Sequence, residues 1–183
     1  MSSPPDETSD AELISRVLLR DDRRAFGELV ARHQSAVRGL LRRLTGGDLA
    51  WADDLAQETF LRAYRGLRGY RGGAKFSSWL YRIACNVFFS RDRGSRDVPL
   101  EPPALEAGDS EEAALPDLLL ERYDLERALA SLKPRERAAL VLTYVNELTH
   151  EEAAVVLDCP LGTLKTHVAR AKEKLRRQLE ETP

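Results

Sequence analysis

The stretch "HEEAAVVLDCPLGTLKTH", His150 to His167, decides the fold. Its two histidines, cysteine and glutamates suggest a metal site, whereas its Pro160 and Gly162 suggest a turn between two helices. A zinc-protease helix needs a second histidine four positions after the first, and that position is Ala154. His167 lies beyond a break that Pro160 enforces, and Cys159 alone adds little to a ligand set. The spacing argues against the metal and fits the helices. Thr149-His150-Glu151-Glu152 has the spacing of a capping box, with Ala153, Ala154 and Leu157 on the inward face. Asp158-Cys159-Pro160 breaks the helix, and Leu161, Leu164, Val168, Ala171, Leu175 and Leu179 give the next one an apolar stripe.

This is helix-turn-helix spacing, in which the second helix offers its N-terminal side chains to a major groove. Off the apolar stripe stand Thr163, Lys165, Thr166, His167 and Arg170, suited to guanine edges or phosphates. Lys172, Lys174, Arg176 and Arg177 continue the basic character and predict a salt-dependent phosphate contribution. A merely solvated amphipathic helix would account for the charges but not for the capped layout.

Upstream, Pro134 suits a helix's first turn, followed by Ala138, Val141, Leu142 and Val145 as a core face. Leu125, Leu129 and Leu132 end the helix before it. Further back lies an acidic connector. Residues 97–124 hold nine acids against the single base Arg122, a net −8 in a chain of net −2. The rest is therefore +6, so two mildly basic bodies flank an acidic spacer. Pro99, Pro102, Pro103 and Pro116 make residues 96–120 read as a linker, and a plain charged spacer is its simplest account.

The first half is also helical. Ser9-Asp10-Ala11-Glu12 reads as a second capping box opening a short helix. Phe26, Leu29, Val30, His33, Val37, Leu40, Leu41 and Leu44 mark one face of a long helix closed by Gly46-Gly47. Another runs from about Leu49, with Ala52, Ala56, Phe60, Ala63 and Leu67 inward; its "DDLAQETFLRAY" sets Asp53, Asp54, Gln57 and Glu58 beside apolar Leu61. That ridge is an ordinary exposed face or a docking surface for a basic protein. After a glycine-rich loop, a third helix carries Phe76, Trp79, Leu80, Ile83, Ala84, Val87 and Phe88. Around it, Tyr70, Phe76 and Trp79 interleave with Arg71, Lys75 and Arg82, and Asn86 follows; aromatic faces plus cations suit unstacked bases, although several rings must serve the core.

The chain thus reads as all-α: two small helical domains, an N-terminal bundle and a C-terminal helix-turn-helix, joined by an acidic linker. Residues 1–20 form a tail and short helix, 21–95 the bundle, 96–120 the linker and 121–183 the helix-turn-helix domain. The 32% charged and 43% hydrophobic fractions fit a soluble globular protein. No apolar run reaches the ~18 residues of a membrane span, so no membrane insertion is expected. The polar, acidic start is no signal peptide, and two cysteines make neither a disulfide framework nor a four-ligand zinc cluster. A reducing cytoplasm fits, with no enzyme active site, cofactor or metal expected.

Three stretches together, "DDLAQETFLRAY", "KFSSWLYRIACN" and "LKPRER" through "LTHEEAAVVLDCPLGTLKTHVARAKEKL", resemble bacterial RNA polymerase sigma factors of the extracytoplasmic-function (ECF) group of the sigma-70 family. The resemblance implies a factor that binds core polymerase and directs promoter-specific initiation. Asp53, Asp54, Gln57, Glu58 and Leu61 would dock on the clamp helices of the largest catalytic subunit, and the second domain would meet the flap of the second-largest. Tyr70, Arg71, Lys75, Phe76, Trp79, Arg82 and Asn86 would capture the minus-10 element. Lys165, Thr166, Ala169 and Arg170 would read the minus-35 duplex, with Thr163 and His167 beside them. An anti-sigma partner, able to hold the protein near a membrane, and a stress or envelope response complete that expectation. Departures include Cys85 where arginine or valine is usual, His150 where an aromatic is common, and Thr166-His167 in place of Ser-Arg. The rivals are a stand-alone helix-turn-helix regulator with a sensing or dimerising bundle, and a helical zinc hydrolase.

Overall fold

A computed structural model describes residues 8–95 and 127–180. The linker therefore lies outside the described residues, as does Leu125. Every regular element among those residues is helical. The first half comprises α1 (Asp10–Arg20), α2 (Arg23–Leu44), α3 (Leu49–Gly66), a 3₁₀ turn (Leu67–Gly69) and α4 (Phe76–Ser95). In the second, a helical turn at 127–130 leads to α5 (Pro134–Tyr144), α6 (His150–Val156) and α7 (Leu161–Glu180).

The expected caps form. Ser9 and Glu12 exchange hydrogen bonds in a capping box at α1, and Thr149 and Glu152 do the same at α6. Each box satisfies two N–H groups that a helix start leaves without partners. Asp22 and Asp48 cap α2 and α3 without a reciprocal bond, Asp22 accepting from the Arg24 and Ala25 N–H groups and Asp48 from that of Trp51. At the end of α2, Gly46 takes φ +71°, and a Cβ there would sit 3.4 Å from the Ala130 Cβ. The positive φ is what calls for glycine at this helix end, which lies beside the second half of the chain.

In the first half, α2, α3 and α4 pack on one another while α1 covers α2. Leu13, Leu29, Leu40, Leu41, Leu44, Leu55, Leu80 and Phe88 are fully buried there. Each contributes roughly 1.5–3 kcal/mol of apolar transfer. In the second half, α5, α6 and α7 pack around Ala138, Val141, Leu142, Ala153, Leu164 and Ala171. Val145 differs from its expected place. Helix α5 stops at Tyr144, so Val145 becomes the cap residue and faces solvent.

The two halves do not stand apart. Helix α2 packs against α5, and α4 against α6. At the seam Arg137 of α5 is 9% exposed and donates to three backbone carbonyls. They are Leu44 O of α2 at 2.6 Å, Ala130 O at 2.8 Å and Leu132 O at 3.2 Å. Burial pushes its basicity down, partly offset by the charge of Asp92. A guanidinium remains charged in spite of this and needs its acceptors. The seam also carries an ion pair, Arg82 Nη2 to Asp158 Oδ1 at 3.3 Å, and the Arg135 guanidinium over the Phe89 ring at 5.1 Å.

Replacing Arg137 by Met keeps the apolar stem but orphans three carbonyls. The expected loss is about 1–3 kcal/mol, read as a lower urea midpoint.

Candidate nucleic-acid interface

Helix α7 owes its position to the turn before it. Asp158 adopts a left-handed backbone (φ 50°), which aspartate tolerates better than most residues. The Cys159 N–H then donates to Ala154 O and the Leu164 N–H to Pro160 O. Leu164, Val168 and Ala171 turn inward, and Thr163, Lys165, Thr166, Ala169 and Arg170 face solvent on the opposite edge. Thr166 returns its hydroxyl to Gly162 O at 2.9 Å.

His167 is only half exposed, and its Nδ1 is buried without a hydrogen-bond partner. Desolvation lowers its pKa, as do Arg135 and Arg170, while Glu136 opposes them. Glu136 itself is 3% exposed and accepts from Lys174 Nζ at 2.6 Å. Burial alone would raise its carboxyl; the Lys174 hydrogen bond and charge, with help from the Lys133 backbone, bring it below the ordinary range instead. This partly buried pair fixes α7 against α5. Lys172 lies over the Tyr144 ring at 4.4 Å and adds a second tie between the same helices.

A second surface lies on α4. Trp79, Arg82 and Asn86 fall at helical spacing on one stripe, where Arg82 and Asn86 are exposed and Trp79 half-buried. The rings of Tyr70, Phe76 and Trp79 pack with centroids 5.4–5.5 Å apart. Phe76, read from sequence among the base-facing rings, is 4% exposed; it belongs to the core and supports Trp79 from beneath. Tyr70 donates its hydroxyl to Ala74 O at 2.7 Å, closing the loop that exposes Arg71 and Lys75. The loop needs Gly72, whose φ is +72°.

A third surface is the ridge on α3. Asp53, Asp54, Gln57 and Leu61 are exposed. Asp53 pairs with Arg38 at 3.0 Å. Glu58 is half-buried, and the Arg62 hydrogen bond at 2.7 Å holds its carboxyl below the ordinary range. Asp54, Gln57 and Leu61 are therefore the solvent-facing part of the ridge. Among the described residues no group of three or more metal-ligating side chains converges, and no helix is long and apolar enough to cross a membrane.

The sequence reading missed the seam contacts, Arg135 on Phe89, Arg82 on Asp158 and Arg137 on Leu44. One signal was available: Glu136 and Arg137 precede "AALVL", a run buried on all sides, so charges there need partners inside the protein.

Sequence and fold comparisons agree with this geometry. Residues 29–96 match the family model for sigma-70 region 2, and residues 122–175 the model for sigma-70 region 4. The RNA polymerase sigma-H factor of Pseudomonas aeruginosa is 34% identical, covering 95% of each chain. The ECF RNA polymerase sigma-E factor of Escherichia coli K12 is also 34% identical, over 93% of this chain and 94% of its own. This chain belongs to the ECF group of the sigma-70 family. It is thus a sigma factor, directing transcription initiation. Among solved structures, the Bartonella quintana sigma factor RpoE with its anti-sigma factor NepR matches at a TM-score of 0.71 and 25% identity, covering 86% of this chain and 98% of that one. CnrH in complex with the cytosolic domain of CnrY matches at 0.69 and 26%, covering 95% and 96%.

Because its folded-state pKa is depressed, His167 favours the fold when neutral. Its contribution to stability is present above the ordinary imidazole pKa of about 6.5 and lost as pH falls through the lower folded value. An NMR titration should place the His167 midpoint below that ordinary value.

Proposed function

We propose that the three surfaces of this sigma factor divide promoter recognition among them. The α3 ridge, through Asp54, Gln57 and Leu61 with Asp53 and Glu58 behind them, docks on the clamp helices of the largest polymerase subunit. The second unit meets the flap of the second-largest. Tyr70, Arg71, Lys75, Trp79, Arg82 and Asn86 take the minus-10 strand, with Phe76 holding the Trp79 ring. Stacking would supply affinity there, and Asn86 would supply a hydrogen bond to an unstacked base. Lys165, Thr166, Ala169 and Arg170 read the minus-35 duplex, flanked by Thr163 and His167. The domains follow the sequence boundaries, with residues 96–120 spanning between them. Polymerase supplies the chemistry, and the chain works in the cytoplasm without a cofactor of its own.

The observation that best supports this reading is the α7 edge. A solvent-facing Lys165, Thr166, Ala169 and Arg170 lies over a buried Leu164, Val168 and Ala171, the placement a groove-reading helix requires. An anti-sigma regulator is inferred by likeness to the Bartonella quintana sigma factor, whose solved structure holds the anti-sigma factor NepR.

Run-off transcription with purified core enzyme tests the reading directly. Lys165→Ala and Arg170→Ala should each cost about 1–3 kcal/mol of duplex discrimination, with core association unchanged. Asp54→Ala or Gln57→Ala should weaken core association first. Equal loss of core association from both sets would refute the division of labour.

A further inference from the structure

His33 has no part in the roles assigned so far. It falls on the apolar face of α2, between Leu29 and Val37, where a leucine would satisfy the packing period. Its side chain is 17% exposed, and its Nε2 stands 2.7 Å from a carboxylate oxygen of Asp10, at the start of α1. An ionised carboxylate only accepts, so Nε2 carries the proton of this bond, which fixes the tautomer and orients the ring. The Arg32 guanidinium reaches the other oxygen of the same carboxylate at 3.3 Å.

The ring so oriented meets Phe76 edge-to-face, with centroids 5.3 Å apart. Phe76 in turn stacks on Trp79 at 5.5 Å and crosses Tyr70 at 5.4 Å. A line of contacts therefore runs from an acid on α1, through a histidine on α2, to the two rings assigned to base capture. Aromatic pairs hold preferred offsets and angles, so each ring in the line restricts the next. The line enters α4 at its first residue, Phe76, straight after the glycine loop. Asp10 also bears on the platform directly. Burial first, and then the charge of Asp10, hold the Tyr70 phenol above its ordinary pKa.

We propose that His33 is a positioning residue for minus-10 capture, held by Asp10 so that Phe76 keeps Trp79 and Tyr70 at a fixed depth and tilt. The inference rests on the minus-10 reading of α4 given above. His33 meets no base in this role; it acts through Phe76. A leucine in its place would fill the core and leave the platform without a tie to α1. The histidine contributes direction where a leucine would contribute only volume. Helix α1 has a second anchor that bypasses the rings, since Arg16 donates to Asp22, the cap of α2, at 2.8 and 3.0 Å. The two anchors separate positioning from mere attachment of α1.

The test uses the full chain with Trp51→Phe, which leaves Trp79 as its one tryptophan. Acrylamide quenching of that indole reads its depth. A dye-labelled, mixed-sequence single strand of about ten nucleotides reads capture once core polymerase is added. Asp10→Ala, three contacts removed from the indole, should raise the quenching and weaken strand binding by about two- to ten-fold, the range of one net hydrogen bond. His33→Gln keeps a donor for Asp10 but brings no ring to Phe76, and should do the same. When Asp10→Ala is combined with His33→Ala the losses should not add, because the acid acts largely through the histidine. Arg16→Met removes the other anchor of α1 and should leave the quenching of Trp79 unchanged. Unchanged quenching in Asp10→Ala or His33→Gln, fully additive losses, or an equal rise from Arg16→Met overturns the positioning role. The parent chain keeps the two levels apart. If it gives core polymerase no added affinity for the strand, the minus-10 reading falls and the inference with it; if it does, the quenching results judge His33 alone.

Discussion

A single buried guanidinium organises this molecule. Arg137, on α5, sits where that helix meets the end of α2 and the segment before α5, and its donors reach carbonyls of both. Carbonyls at helix ends lack intrahelical partners and carry the negative end of the helix dipole. A cation placed there answers both needs, without the carboxylate partner that a buried charge more often requires. Gly46, in its left-handed conformation, ends α2 close beside Ala130. Remove this contact and the leucine-rich first half and the alanine- and valine-rich second half remain two small cores with a polar join.

Both cores follow from ordinary apolar periodicity, and for that reason most of the fold was legible in the sequence. The boxes at Ser9 and Thr149, the stop at Gly46, the Pro134 start and the break at Pro160 are local signals read from one or two side chains. Local physics also set the outward edge of α7, because a 3.6-residue period that buries Leu164, Val168 and Ala171 leaves Lys165 and Arg170 outside. The reading was weaker wherever an outcome depended on distant partners. Phe76 and Trp79 are both aromatic and both meet Tyr70, yet one is core and the other half-exposed; His33, from elsewhere in the chain, packs on Phe76. Val145 left the core because α5 ended one residue earlier. The seam was invisible for the same reason. No local period reports that Arg82 and Asp158, far apart in sequence, share a contact.

The three surfaces also differ in what their chemistry can do. On α3 the acids are partly neutralised by Arg38 and Arg62, leaving a narrow strip with a single apolar residue, Leu61, at its edge. On α4 the rings stack on one another before any ligand arrives, so the aromatic platform is largely pre-arranged and little side-chain entropy remains to be lost on binding. On α7 the polar edge is exposed along its length and fixed at its root by the Lys174–Glu136 contact. These contrasts match the docking, capture and reading roles proposed for the three surfaces.

The root of that edge is the Glu136–Lys174 pair, one helical turn beyond Arg170. A stripe of leucine, valine and alanine tolerates small rotations, since one methyl replaces another at little cost. An ammonium seated on a buried carboxylate does not. Rotating α7 by one residue, about 100°, would break the pair and turn a different set of side chains to solvent. In the proposed minus-35 role of α7, base preference would therefore depend partly on a charge seated within the protein.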